Sequence, residues 1–283
     1  MTTISENSLK QRIRNIAKMK KKTPAQLWQN LVSERFLVRL IKSKYKDNFI
    51  LKGGLLLSKY IEMDRETLDI DFLVNKLSNE KENFKNVFEE IISIDVQDGF
   101  VFNAIQINVL DHTHMKYFGY RILTTGCFGK VRFKMQIDLG IGDVVHSKKT
   151  IFPLIGDLKG SLFENEIEID CYPKEFIFAE KLETIISRGV LNSRMKDFHD
   201  LYSLILDNEL NDLNLSKVLM LVFQHRKTDL NLQIMNELKN NEITNTFWKN
   251  YHNKLLNRNK IPQKIEIVIS EILKRLIKII PDK

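Results

Sequence analysis

Between residues 49 and 155 apolar and polar positions alternate in short runs, and on either side they recur at helical spacing. The runs NFILKGG, TLDIDFLV, FNAIQINVL, YFGYRILTTG and KVRFKMQIDLGIG have the period of two that buries one face of a strand. A helix over about 79–93 interrupts them. Upstream, SLKQRIRNIAKMKK and TPAQLWQNLVSERFLVRLIKSKY read as helices, the second opened by a Thr-Pro start signal. In that second helix Phe36, Leu37, Leu40 and Ile41 trace one apolar face. From 174 onward helical periodicity returns and persists; GVLNS breaks it, and Ser193 is placed to cap a helix whose Phe198, Leu201, Tyr202 and Ile205 form a buried stripe. The layout predicts an α+β fold, with helices over 1–48, a mixed-sheet core over 49–160 and a helical region over 161–283.

Composition narrows the class. The 283 residues are 43% hydrophobic and 28% charged, enough to bury a sizeable core. No apolar stretch reaches the roughly eighteen residues of a membrane span, and the first residues hold no apolar segment or cleavage site for secretion, so a cytoplasmic protein without a membrane partner is expected. Cys127 and Cys171 have neither metal nor redox spacing. The net charge of +8 favours a polyanionic partner, although a Lys-rich genome produces the same balance. Lys18, Lys20, Lys21 and Lys22 are candidates to attract nucleic acid, or a solvated helix end.

The strand pattern then raises a chemical question. In TLDIDF, Leu68, Ile70 and Phe72 share one face, which puts Asp69 and Asp71 together on the other. Two carboxylates so placed repel one another unless a divalent cation lies between them, and Mg²⁺ favours one or two carboxylates plus substrate phosphates. The alternative is a solvent-facing strand. In VRFKMQID the same alternation puts Asp138 on a polar face, either as a third metal-binding acid or as a strand-ending turn former. Lys52, Gly53 and Gly54 stand between a strand and an apolar helix, where backbone N–H groups can approach phosphate oxygens. Further along, PKEFIFAEKLETIISRG and RMKDFHDLYSL present Lys181 and Asp197; the helix dipole is the plain explanation for Asp197 and Asp200 near a helix start. On an exposed helix Lys181 would carry no structural weight. Asp111, His112 and His114 read as an exposed turn before a metal site, Cys127 reads as packing, and Arg226 and Thr228 are substrate-facing or helix-terminal.

Taken in order, DNFILKGGLLL, DRETLDIDFLV, MQIDLG, AEKLETIISRG and RMKDFHDLYSL resemble the AbiEii/AbiGii toxin family of nucleotidyltransferases, from about residue 30 to 250. The resemblance implies a polymerase-β-like nucleotidyltransferase core fused to a helical C-terminal region. It implies toxins of type IV toxin–antitoxin or abortive-infection systems, some of which transfer nucleotides from NTPs to the 3′ end of tRNA. It places Asp69 and Asp71 in the metal-binding pair, Gly53 and Gly54 in the turn before the first helix, Lys181 on the triphosphate and Asp197 in the lysine–aspartate helix motif. Asp138 fits the third acidic position less closely. The Gly-Ser of many polymerase-β-like enzymes is here Gly-Gly-Leu, so phosphate contacts would come from the backbone. An NTP substrate, Mg²⁺, a tRNA or other RNA acceptor and a cognate antitoxin are the expected partners. Nucleotidylation of a protein hydroxyl and a catalytically silent nucleotide- or RNA-binding module are the alternatives.

Overall fold

The structure is a computed structural model that describes residues 4–61, 67, 69–110, 119–255 and 258–280. It divides into two units, one formed by 1–59, 66–143 and 147–171, the other by 60–65, 144–146 and 172–283.

The first unit opens with α1 (Glu6–Met19), capped by Ser5, and α2 (Pro24–Lys42), where Thr23 and Gln26 form a reciprocal capping box ahead of Pro24. The sheet strands are β1 (Phe49–Lys52), β2 (Asp69–Val74), β3 (Phe100–Leu110), β4 (Gly119–Phe128), β5 (Val131–Ile141) and β6 (Lys148–Pro153), with β9 (Glu166–Cys171) following a small ribbon of β7 (Gly156–Asp157) and β8 (Gly160–Ser161). Between them lie α3 (Gly53–Tyr60) and α4 (Lys81–Ser93). Among the described residues the sheet has seven strands in the order β3-β4-β5-β2-β1-β9-β6. It is mixed: β2 runs parallel to β5 and β1 to β9, and the other pairs are antiparallel. The strand β9 escaped the sequence reading, although Ile167, Ile169 and Cys171 alternate in it and are buried.

The α2 helix departs from the single apolar face read from its sequence. Every residue from Leu31 to Leu40 is buried, including Ser33, Glu34, Arg35 and Arg39. The polar side is tolerated because its charges are paired. Arg35 Nε donates to Asp98 at 2.6 Å, Arg39 makes bonds of 2.8 and 2.9 Å to both Asp98 oxygens, and Arg39 also donates to the Phe100 carbonyl at 2.8 Å. Arg35 further pairs with Glu164. Glu34 accepts the Ile155 N–H at 2.8 Å and pairs with Lys59 at 3.4 Å; burial raises its carboxyl above the usual range despite these contacts. Satisfied in this way, a helix can run through the core with polar residues on all sides.

The second unit is helical: α5 (Lys174–Arg188), α6 (Met195–Leu206), α7 (Asp212–Arg226), α8 (Gln233–Asn240), α9 (Glu242–His252) and α10 (Ile265–Ile279). α5 packs on α6 and α7, and α10 packs across α6, α7, α8 and α9. The buried stripe of α10, Val268, Ile269, Ile272, Leu273 and Leu276, follows helical spacing. Ser193 does not cap α6. Arg194 stands at the N-cap position, and its side chain makes no capping bond.

Candidate active site

The alternation read in β2 is present. Ile70 and Phe72 are fully buried, while Asp69 and Asp71 are half-buried on the opposite face. The same holds in β5, where Met135, Ile137 and Leu139 are buried and Gln136 and Asp138 are not. Register then aligns one charged row across four strands: Lys52 of β1 opposes Asp71 of β2, Asp71 opposes Asp138 of β5, and Asp138 opposes Arg121 of β4. Opposed residues share a face and neighbouring strands lie about 4.8 Å apart, so two carboxylates stand side by side with a cation at each end.

The glycine turn has a specific reason. β1 ends at Lys52 and α3 starts at Gly53 with no loop between them. Gly53 has φ +70°, and a Cβ there would lie 1.9 Å from Asp71 Oδ2. Gly53 therefore makes room for the Asp71 carboxylate at the start of a helix, where N–H groups and the helix dipole favour negative charge.

The charges at the row's ends are engaged. Lys52 Nζ donates to Asp143 at 3.1 Å, and Arg121 Nε and Nη2 donate to the two oxygens of Asp138 at 2.9 and 2.8 Å. The bond to Asp138, with the charges of Asp69 and Asp71, raises the Arg121 pKa further. Arg121 and Asp143 were not singled out from the sequence. Alternation in GYRILTTG could have placed Arg121 on the polar face, but its pairing with Asp138 depends on which strands are neighbours.

In the second unit Lys181 is not an exposed helix residue. Its ammonium lies 2.9 Å from Asp197 and 2.7 Å from Asp200, carboxylates with 1% and 0% side-chain exposure, and Arg194 Nε reaches the other Asp197 oxygen at 2.6 Å. Burial opposes the charge on Asp197, yet Lys181 and Arg194 outweigh it and hold the carboxyl well below the usual range. Asp197 lies in the first turn of α6, as the helix-dipole reading has it, and both carboxylates also share Lys181. Arg226 and Thr228 converge on buried Glu183, with bonds of 2.8 and 2.6 Å, which gives both a structural role. Cys127 and Cys171 are free thiols, and burial pushes the Cys171 thiol up to about 12. Lys18, Lys20, Lys21 and Lys22 are exposed at the end of α1 and just beyond it. Asp111, His112 and His114 lie outside the described residues.

A family model described as nucleotidyl transferase AbiEii toxin, type IV TA system, matches residues 35–266. The chain belongs to the AbiEii family. It is accordingly a nucleotidyltransferase toxin of type IV toxin–antitoxin systems, and membership implies a nucleotide substrate and an antitoxin partner. No curated protein matches the sequence. Among solved structures, one from H. pylori whose description names a nucleotidyltransferase is 17% identical with a TM-score of 0.44, covering 91% of this chain and 95% of that one. JHP933 from Helicobacter pylori is also 17% identical, with a TM-score of 0.43 and coverage of 90% and 91%. An antigenic nucleotidyltransferase-like protein from Paracoccidioides brasiliensis is 13% identical, with a TM-score of 0.39 and coverage of 70% and 89%. Likenesses this distant carry no weight, and the family assignment rests on the family match.

In this AbiEii chain the carboxylate face fits a hard divalent cation. Its donors are oxygens only, two aspartates stand one strand repeat apart, and Gly53 gives the Asp71 carboxylate its place. Among the described residues no group of three or more His, Cys, Asp or Glu is arranged to hold a metal. A two-carboxylate set needs further oxygens, which phosphates and water supply for magnesium. Among the described residues no helix is long and apolar enough to cross a membrane.

Proposed function

We propose that this AbiEii chain transfers a nucleotide from an NTP to an acceptor hydroxyl, with the 3′ end of tRNA as acceptor, and thereby blocks translation and growth. The observation that carries the reading is the charged row, with Gly53 opened to admit Asp71 at the start of α3. Asp69 and Asp71 would hold Mg²⁺, which supplies Lewis-acid charge to the phosphates and the attacking hydroxyl when bound. Lys52 and the N–H groups of Gly53 and Gly54 would face the phosphates, since a helix start favours anions.

In the reaction the hydroxyl oxygen forms a bond to the α-phosphorus, the bond from that phosphorus to the β-phosphate oxygen breaks, and pyrophosphate leaves. The hydroxyl proton passes to solvent. The family resemblance assigns Lys181 to the triphosphate, and we keep that assignment. Asp197 accepts from the Lys181 ammonium at 2.9 Å, and its part in this reading is to position Lys181. The tRNA acceptor is supported by the net charge of +8 together with the family resemblance.

The test incubates the protein with each labelled NTP, Mg²⁺ and total tRNA and then locates the label. Label at the tRNA 3′ end, lost in Asp71→Asn, supports the reading. Label in protein moves the acceptor to a protein hydroxyl, and the absence of pyrophosphate release with every NTP leaves a binding module.

A further inference from the structure

We propose that Arg121 is a positioning residue that keeps Asp138 off the cation, so that the divalent ion is held by Asp69 and Asp71 alone among the acids of this sheet face. The inference rests on the metal-site reading above and adds to it the number of protein ligands and the residue that sets it.

Three observations carry it. Arg121 engages both carboxylate oxygens of Asp138 with a planar fork, at 2.9 and 2.8 Å, the geometry in which an arginine–carboxylate pair is strongest. Arg121 and Asp138 are directly opposed in the β4–β5 ladder, so backbone pairing holds the two side chains together and not side-chain reach alone. Gln136 Nε2 adds a contact of 3.4 Å to Asp138 Oδ2 from the same face. The fork takes one lone pair on each Asp138 oxygen and balances its charge, which makes Asp138 a weaker donor to a cation than Asp69 or Asp71. Three ionised carboxylates on one face would also repel, and Arg121 neutralises Asp138, which stands directly beside Asp71. A cation held by two carboxylates keeps more of its octahedral positions for phosphate oxygens and water than one held by three.

Mn²⁺ binding to the full chain, followed by EPR without nucleotide, tests this independently of turnover. Arg121→Ala releases Asp138 and should tighten Mn²⁺ binding about tenfold, the change that about 1.4 kcal/mol of added attraction gives. Arg121→Lys keeps the charge but loses the fork and should also bind more tightly; a purely through-space charge effect would leave it unchanged. Removing the whole pair with Arg121→Ala/Asp138→Asn should return affinity to within about threefold of wild type. A double variant that loses tenfold or more would make Asp138 a ligand in the native protein and overturn the proposal. Arg121→Ala that binds no more tightly would do the same. Arg121→Gln, which keeps the side-chain stem, replaces the alanine variant if β4 is disturbed. Asp69→Asn/Asp71→Asn separates the two levels. If it leaves Mn²⁺ binding intact, the metal-site reading itself falls. If it abolishes binding while the Arg121 variants behave as wild type, only the present inference falls.

Discussion

At the scale of single residues, the strongest constraint is the one between Gly53 and Asp71. Any side chain at 53 meets a positive φ and the Asp71 carboxylate at once. Gly53→Ala should cost about 1–2 kcal/mol in backbone strain alone and move Asp71 as well. The expected outcome is a folded protein with a lowered melting temperature and transfer reduced about 100-fold or more, the scale of losing one charge-stabilising group. Wild-type turnover from Gly53→Ala would show that the position of Asp71 is immaterial. Lys181 is different in kind, because it compensates two buried carboxylates. Lys181→Ala should destabilise by about 3–5 kcal/mol, as breaking a buried pair does, against the neutral change expected of an exposed helical lysine. Thermal melts decide between the two. Lys181→Arg keeps a cation for Asp197 and Asp200, so it is the variant in which lost transfer can be read apart from lost stability.

At the scale of elements, α2 is held by its charges as much as by its apolar residues. Asp98 receives both Arg35 and Arg39, and all three are at most 2% exposed. Asp98→Asn leaves two buried guanidinium groups short of a counter-ion and should cost about 3–5 kcal/mol. A urea midpoint close to that of wild type would mean that Glu164 and the carbonyls satisfy the arginines without it. Helix starts and strand alternation were legible: Thr23 and Pro24 open α2, and β2 and β5 have the faces read from their period. The cap of α6 was not: Ser193 is a good capping residue by type, yet α6 starts one position later, with Arg194 before its first turn and bonded to Asp197. β9 was not recognised, although its alternation is regular. Its membership of the sheet comes from pairing with β6, nearby in sequence, and with β1, which is distant.

At the scale of the whole molecule, the net charge of +8 bears on the partner and not on the fold. If tRNA is the acceptor, binding through several phosphates should weaken steeply between about 50 and 200 mM salt as counterion release is suppressed. Filter binding at several ionic strengths measures the slope. A salt-independent complex would direct attention to a protein acceptor.

The sequence by itself determined what depends on short-range order: the α+β layout, the faces of β2 and β5, the Gly-Gly entry to α3 and the motif order that places the chain in the AbiEii family. Local periodicity dictates which side of a strand a residue occupies, so Asp69 and Asp71 could be paired without coordinates. Only the tertiary structure decided who stands beside whom. Arg121 is fixed on Asp138 by the β4–β5 register, Arg35 and Arg39 meet at Asp98 from 63 and 59 residues away, and Lys181 is shared by Asp197 and Asp200. Each of these pairings joins residues with no periodic relation in sequence, because burying a charge requires a partner and the fold supplies it wherever the chain happens to return.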